Sequence, residues 1–452
     1  MVSDVHVKQR TQIWPVAIGA VVVATRLPFL GHGYGEDPDS WRAIIAAQHL
    51  LDTGRYVPSR PPGYPLPEYV DAVMLWAGLG SSFWIGMLSA VLCGVAAALT
   101  FALLQPLGTG KAVVGGAALA FTPQVFVASI SAMDFMWGLS FFLAAALCVT
   151  RNRWWAAVFL GLAIASRPTY AVAALPLVVL CIGFDVHRLR TQWKSIVLPL
   201  IFSAVIALAF FAPAIISTGS GLLAILDAGS DRWLRVAYQG SIGMFGIGGF
   251  LGVAVMSVYA LIKFREAPKV NAPHMDTFAF TTIAVWGLLF IRLPHDAAYL
   301  IPALVGLYWL LCRYVDEVVL LWAMVALLAE ACFVGHVDSQ TRKLGFAGPV
   351  IRAVQEQDER RCVADLVRDE LGRSPDLYII TGVLRPQLLL EVGSDRLLYT
   401  VRSEDGRLID TEWVPFPQDA DLAVLDRVEK QQNTLWDGHI RVLSTLEGCP
   451  LQ

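Results

Sequence analysis

The side chains able to do chemistry sit at a few widely separated places in an apolar chain. Glu36-Asp37-Pro38-Asp39 follows the first apolar run, and Asp134 opens a later one in Ser131-Ala132-Met133-Asp134-Phe135. Arg60 lies in Ser59-Arg60-Pro61-Pro62-Gly63-Tyr64-Pro65. Arg292, His295 and Asp296 share the turn Ile291-Arg292-Leu293-Pro294-His295-Asp296. A carboxylate can take the proton of an alcohol as its oxygen attacks, or hold a divalent ion such as Mg or Mn. Arg and His can grip a phosphate through charge-assisted hydrogen bonds and stabilise it as it departs.

The elements that must position these residues are membrane spans. Of 452 residues 56% are hydrophobic and only 16% charged, against roughly 25% charged in an average soluble domain. The deficit is local: residues 1–335 hold 20 Lys/Arg and 17 Asp/Glu, and residues 336–452 hold 14 and 20. A transmembrane module over 1–335 and a soluble tail over 336–452 follow. The net charge of −3, with no polybasic tract or zinc-finger spacing, gives no reason to expect nucleic acid.

Eleven stretches are long or apolar enough to cross: 13–30, 82–104, 112–131, 134–150, 154–166, 168–184, 195–216, 243–262, 277–293, 297–312 and 317–335. The fifth and sixth are short and meet at Ser166-Arg167-Pro168; they read as two short spans or one irregular pass. The first run has no small-residue cleavage site after it and reads as a span rather than a removable signal. With the N-terminus inside and 154–184 counted as two crossings, Lys111, Arg151/Arg153, Arg188/Arg190/Lys194, Lys263/Arg265/Lys269 and Arg313 all fall on the cytoplasmic side, as short basic loops should. The tail is then outside, with the loop 31–81 and the segment 217–242, which reads as an interfacial amphipathic stretch. In loop 31–81, Ser40–Leu51 is helix-like and Pro58–Pro67 extended or turned. Charged groups beside hydrocarbon are costly unless paired or wetted, so acids and bases gathered on one face imply a polar cavity. Such a cavity at the lipid interface suits transfer of a sugar from a lipid-linked phosphate to a hydroxyl.

An acidic pair after the first span, the Thr53-Gly54-Arg55-Tyr56 turn and a basic residue before Pro-Pro resemble the polyprenyl-phosphate-dependent GT-C glycosyltransferases. That superfamily includes the protein O-mannosyltransferases and the lipid A aminoarabinose transferase. Ser166-Arg167-Pro168-Thr169 and His295-x-x-x-Tyr299-Leu300-x-Pro302 add to the resemblance, which covers roughly residues 10–310. It implies a GT-C-type polytopic helical fold of about eleven spans with a small C-terminal α/β domain on the outer face, in a bacterial inner membrane. It also implies an inverting glycosyltransferase with a polyprenyl-phosphate sugar and membrane lipid as partners, an unidentified hydroxyl acceptor and no required cofactor. Carried onto this chain, the base is Asp37 or Asp39 within Glu36-Asp37-Pro38-Asp39, the acid pair pointing to Asp37 and counting back from Gly54 pointing to Asp39. Asp134 is the second acid, orienting the acceptor or assisting a metal ion. Arg60, with His295 and Arg292, holds the donor phosphate, and Tyr64, Tyr299 and Arg167 line the substrate.

Structural roles compete for the same residues. Asp37 or Asp39 can cap the helix that follows, and Asp134 can cap its own. Arg167 can pair inside the bundle, and Glu68 and Asp71, on an interfacial helix, are solvated by default. A flippase or transporter is the rival from another class, but no internal repeat is present and the charges lie at one face rather than the midplane. A surface-polysaccharide ligase or polymerase differs only in its donor. In the tail, Val350–Leu371 reads as helix and Leu377–Thr381, Leu397–Val401 and Ile440–Leu443 as strands. Five cysteines (Cys93, Cys148, Cys181, Cys312, Cys332) lie in apolar runs, while Cys362 and Cys449 bracket the tail and could form a disulfide outside the cytoplasm.

Overall fold

The structure, a computed structural model, describes residues 2–183, 185–218, 232–263, 272–294, 296–333, 336–337, 344–345, 348–404, 407–410, 412, 414, 415, 417, 420–425 and 441–443. It is a multi-pass bundle of apolar helices with a small α/β unit at its C-terminal end.

Helix α1 (Val2–Arg26) leads into a loop carrying two short helices, α2 (Pro38–Thr53) and α3 (Pro65–Trp76). The chain then enters α4 (Ser82–Leu104). Gly19 of α1 and Gly94 of α4 let these two backbones touch: a Cβ on Gly94 would stand 2.9 Å from the Gly19 carbonyl oxygen. The expected span 112–131 is two helices, α5 (Thr109–Phe121) and α6 (Pro123–Ala128). The break falls where Pro123 supplies no N–H and Thr122 leaves helical geometry (φ −57°, ψ 127°).

After α7 (Phe135–Cys148) the ambiguous 154–184 region resolves into two arms, α8 (Arg153–Ser166) and, after a 3₁₀ turn at Pro168–Ala173, α9 (Ala174–Ile182). Arg167 between them is extended (φ −154°, ψ 113°), as a residue before proline tends to be. Then follow α10 (Val186–Thr218), the short α11 (Arg232–Tyr238), α12 (Met244–Lys263), α13 (Pro273–Arg292), α14 (Ile301–Tyr314) and α15 (Glu317–Cys332). Helices thus occupy each of the eleven predicted stretches. Among the described residues five helical segments are long and apolar enough to cross a membrane unaided: Ser82–Leu107, His187–Ser217, Trp233–Lys263, Pro273–Arg292 and Ala297–Tyr314. Of the amphipathic segment expected over 217–242, the described part is helical and exposes Trp233 and Leu234; Asp227 and Asp231 lie outside the described residues.

Gly246 (φ 71°) interrupts α12, and the Glu330 carboxylate on α15 fills the break, accepting the N–H groups of Ile247 (2.8 Å) and Gly248 (3.1 Å). Buried backbone donors freed by a kink need such a partner.

Beyond α15 come β1 (His336–Val337), paired with β2 (Leu344–Gly345), and the long α16 (Pro349–Arg373). The tail continues through β3 (Leu377–Ile380), α17 (Arg385–Val392), β4 (Leu397–Leu398), β5 (Val401–Glu404), β6 (Arg407–Asp410), β7 (Asp421–Leu425) and β8 (Arg441–Leu443). Strands run parallel in the order β4-β3-β7-β8, and β5 and β6 form an antiparallel pair. Ile379, Ile380, Leu397, Leu398 and Val424 bury this sheet against Val363 and Val367 of α16, a core distinct from that of the bundle. Cys362 is disulfide-bonded; Cys449, its expected partner, lies outside the described residues.

Candidate functional site

Asp134 stands just before α7, where its segment meets the first loop: the Ala132 N–H donates to the Tyr34 carbonyl at 2.6 Å. The carboxylate is buried and makes no cap to its own helix; instead its two oxygens hold two arginines. Arg60 Nη2 donates to Oδ1 at 2.9 Å and Arg167 Nη1 to Oδ2 at 2.6 Å. Residues 74 and 33 positions away thus meet on one side chain. Arg60 reaches further with Nε, 3.2 Å from Asp39 Oδ2.

Aromatic rings support both guanidinium groups. Arg60 lies 4.0 Å from the Tyr64 ring centre, and Arg167 lies 3.9 Å from that of Phe135 and 4.5 Å from that of Tyr299. Such contacts hold a cation face-on while leaving its N–H edge available. A guanidinium has five N–H groups, so both arginines retain donors beyond those the carboxylates engage.

The acidic segment divides its labour. Asp37 caps α2, accepting the Asp39 N–H at 2.9 Å. Asp39 instead faces the arginines, bound by Arg60 and by Arg42 Nη1 at 3.0 Å. Burial, reinforced by the Asp39 carboxylate, pushes Asp37 above the usual carboxylate range. Burial also lifts Glu36 to about 7, with the Glu356, Asp296 and Asp37 carboxylates adding to it against Arg360. Asp296 caps the turn before α14 through the Ala298 N–H (2.8 Å) and receives Gln124 Nε2 (3.3 Å). It rises to about 6, chiefly through burial.

Two expectations need correcting. Glu68 and Asp71 are not solvated: they are 1% and 4% exposed, whereas Val73 and Trp76 on the same helix are 59% and 79% exposed. The helix is turned with acids inward and apolar groups outward, the orientation a lipid-facing helix prefers. Glu68 receives the hydroxyls of Tyr56 (2.6 Å) and Ser59, and so ties down the loop that carries Arg60. Burial raises Glu68 to about 7. Arg292 does not join the cluster: it ends α13 exposed and makes no ion pair among the described residues. His295 lies outside the described residues.

Sequence reasoning missed Arg42, Arg385 and Glu412. Arg42 Nη2 is 3.4 Å from Glu412 Oε1, and Arg385 binds the other Glu412 oxygen. A chain of charge therefore runs from the tail to the bundle through Arg385, Glu412, Arg42, Asp39, Arg60, Asp134 and Arg167. The i,i+3 spacing of Asp39 and Arg42 on a helix was a usable signal; nothing in the sequence marked Glu412. The tail also grips the first loop directly: Arg360 donates to the Glu36 carbonyl, and Arg361 Nη2 to that of His32 at 2.8 Å.

Among the described residues no three His, Cys, Asp or Glu side chains approach as a metal-ligand set. Both oxygens of Asp134 are already held by guanidinium groups. The donor set therefore does not fit a divalent cation at Asp134.

No family model matches the chain, and no curated protein matches it. Among solved structures, apo ArnT from Cupriavidus metallidurans is 15% identical, covers 96% of this chain and 90% of its own, and superposes with a TM-score of 0.49. The crystal structure of ArnT from Cupriavidus metallidurans bound to undecaprenyl phosphate is 17% identical, with coverage of 84% and 74% and a TM-score of 0.45.

Proposed function

We propose that the protein is an inverting glycosyltransferase that moves a sugar from a polyprenyl-phosphate donor to a hydroxyl acceptor. The observation that carries this is the pair of arginines, Arg60 and Arg167, sharing the buried Asp134 carboxylate under Tyr64 and Tyr299. Two guanidinium groups fixed by a shared acid form a preorganised anion site, and the network they belong to has four arginines to three carboxylates, the kind of surplus that stabilises a departing phosphate. The motif resemblance over residues 10–310 supports the same chemistry.

In this mechanism Asp37 accepts the proton of the acceptor hydroxyl; its raised affinity for protons suits a base. The hydroxyl oxygen forms a bond to the anomeric carbon from the side opposite the phosphate. The carbon–oxygen bond to the phosphate breaks, its electron pair stays on the phosphate, and Arg60 and Arg167 neutralise the new charge. Asp39 keeps Arg60 aimed, and Asp134 fixes the spacing of the two arginines. Asp39 as the base is the second reading, with Asp37 then acting as a helix cap. The Asp134 end of the bundle faces the non-cytoplasmic side, supported by the basic loops at the opposite end and by a disulfide in the tail.

The test offers radiolabelled polyprenyl-phosphate pentoses and hexoses in turn to the purified protein in detergent, with hydroxyl-bearing lipid and glycan acceptors. Label should leave the lipid phosphate in the wild type, and be lost with Asp37→Asn and with Arg60→Gln. Transfer surviving Asp37→Asn but not Asp39→Asn would move the base to Asp39. Transfer surviving both, singly and together, would sink the mechanism.

A further inference from the structure

At the end of the bundle opposite Asp134, two cavities run into one another. One is an open hollow of about 580 Å³ between the α7–α8 turn and the third and fourth turns of α10. Its charged walls are Arg151, Arg153 and Lys194, and no carboxylate lines it. The other is a shallow crevice of about 40 Å³ between α8, α9 and α10, walled almost wholly by apolar side chains such as Ala157, Leu160, Leu177 and Ile196. Arg153, Ser195 and Pro199 border both.

The three cations are not equivalent. Arg153 is structural, since its guanidinium binds the Ser195 hydroxyl and Gln192 Oε1 (2.7 Å) and so clamps α8 to α10. Arg151 and Lys194 are exposed, and neither has an ion pair among the described residues; Lys194 lies 5.7 Å from the Trp193 ring centre. Nearby Arg188, in contrast, is paired with Asp185. Exposed Trp154 and Trp193 flank the hollow, and such residues settle at the headgroup level of a bilayer. A cationic hollow at that level, continuous with a crevice at hydrocarbon depth, has the two-part chemistry of an anionic amphiphile.

We infer that this is a binding site for an anionic glycerophospholipid of the leaflet opposite the Asp134 site. The headgroup phosphate lies between Arg151 and Lys194, and an acyl chain lies over the crevice, against the exposed apolar surface of Trp154, Leu198 and Ile201. Basic pockets between transmembrane helices are known to hold such headgroups. The site is remote from the proposed donor phosphate and does not depend on the protein being a glycosyltransferase.

The experiment is native mass spectrometry of the purified, delipidated protein titrated with phosphatidylglycerol or with phosphatidylcholine of the same chains. The first lipid bound should be phosphatidylglycerol, with an affinity about tenfold or more above phosphatidylcholine: both offer the phosphate, but the choline ammonium of the second is repelled by the same two cations. The double variant Arg151→Gln/Lys194→Gln, and in part Lys194→Gln alone, should lose that preference while melting like the wild type without lipid. Arg188→Gln and Arg60→Gln should keep it. Equal affinities for the two lipids on the wild type, or an unchanged preference in the double variant, would overturn the site. Loss of the preference in Arg60→Gln would place the lipid at Asp134 instead and equally overturn it. Displacement of the first lipid by glycerol phosphate at matched concentration would show that no chain is held over the crevice, and would overturn the amphiphile assignment.

Discussion

At the Asp134 end of the bundle, ionisable side chains from the first loop, the start of α7, the tip of the α8–α9 hairpin and the tail join in one continuous network. At the opposite end, the exposed Arg151 and Lys194 apart, the same residue types form separate clamps. Arg313 binds Asp276 at 2.9 Å and Trp309 Nε1 donates to Asp276 at 2.9 Å, tying α13 to α14. Lys111 Nζ caps the Val315 carbonyl at 2.8 Å, and Arg153 joins α8 to α10. A clamp fixes two helices and is finished; a network with cationic charge to spare is arranged around something that comes and goes. Charge buried for stability and charge kept ready for a ligand are thus distinguishable by connectivity, even where burial is equal.

Four substitutions would break or sharpen this contrast. The largest effect is expected from Asp134→Asn, which leaves Arg167 without a carboxylate partner and Arg60 with Asp39 alone; removing one partner of a buried pair costs about 3–5 kcal/mol. Transfer should fall to background and the melting temperature should drop. Unchanged donor binding would show that Asp134 does not organise the arginines. Next, Arg167→Gln should lower the transfer rate by about 100-fold, the range seen when one preorganised donor to a developing anion is lost. Undecaprenyl phosphate should bind more weakly in the same variant, read by a thermal-shift titration.

Asp276→Asn is the control from the other end. Arg313 is 4% exposed on its side chain and already has Nε and Nη1 without partners, so stability should fall by about 3 kcal/mol. Affinity for undecaprenyl phosphate should stay within twofold; a tenfold loss would show that the two ends are coupled. The smallest effect belongs to Glu36→Gln. A carboxylate whose folded pKa is raised from 4.5 to about 7 stabilises the fold below the lower value, and that contribution is lost as pH rises through the upper one. The Gln variant should therefore melt with the wild type near pH 4.5 and above it at pH 8, in parallel thermal scans. Identical curves at both pH values would show that Glu36 is freely hydrated.

Much of the fold was legible because lipid imposes a simple rule: every predicted stretch is helical, and Ser166-Arg167-Pro168 marked the hairpin tip because an extended residue before proline cannot continue a helix. Asp37, Asp39, Arg60 and Asp134 could be singled out because charge is conspicuous among apolar residues, whereas Tyr64, Tyr299 and Arg167 entered only through the motif resemblance. Which acid plays which part was not legible. Both Asp37 and Asp39 can cap α2, and only the path of the Arg60 loop decides that Asp39 meets the guanidinium. Glu68 and Asp71 misled because an interfacial helix has two plausible faces, and the choice depends on what Tyr56 and Ser59 need. Glu412 contributes from 370 residues beyond Arg42, across a domain contact that no local pattern encodes.

The shortness of the α8 arm sets the depth of the site. Fourteen residues, starting beside the exposed Trp154 and Trp155, rise about 21 Å against a hydrocarbon layer of roughly 30 Å. Arg167 at its tip, only 3% exposed, therefore stops short of the far boundary of a layer that thick. A nucleotide-activated sugar would have to surrender the hydration of its phosphates to descend there. On the reading proposed above, a sugar whose single phosphate is anchored to an isoprenoid already travels at that level and meets the arginines without that loss.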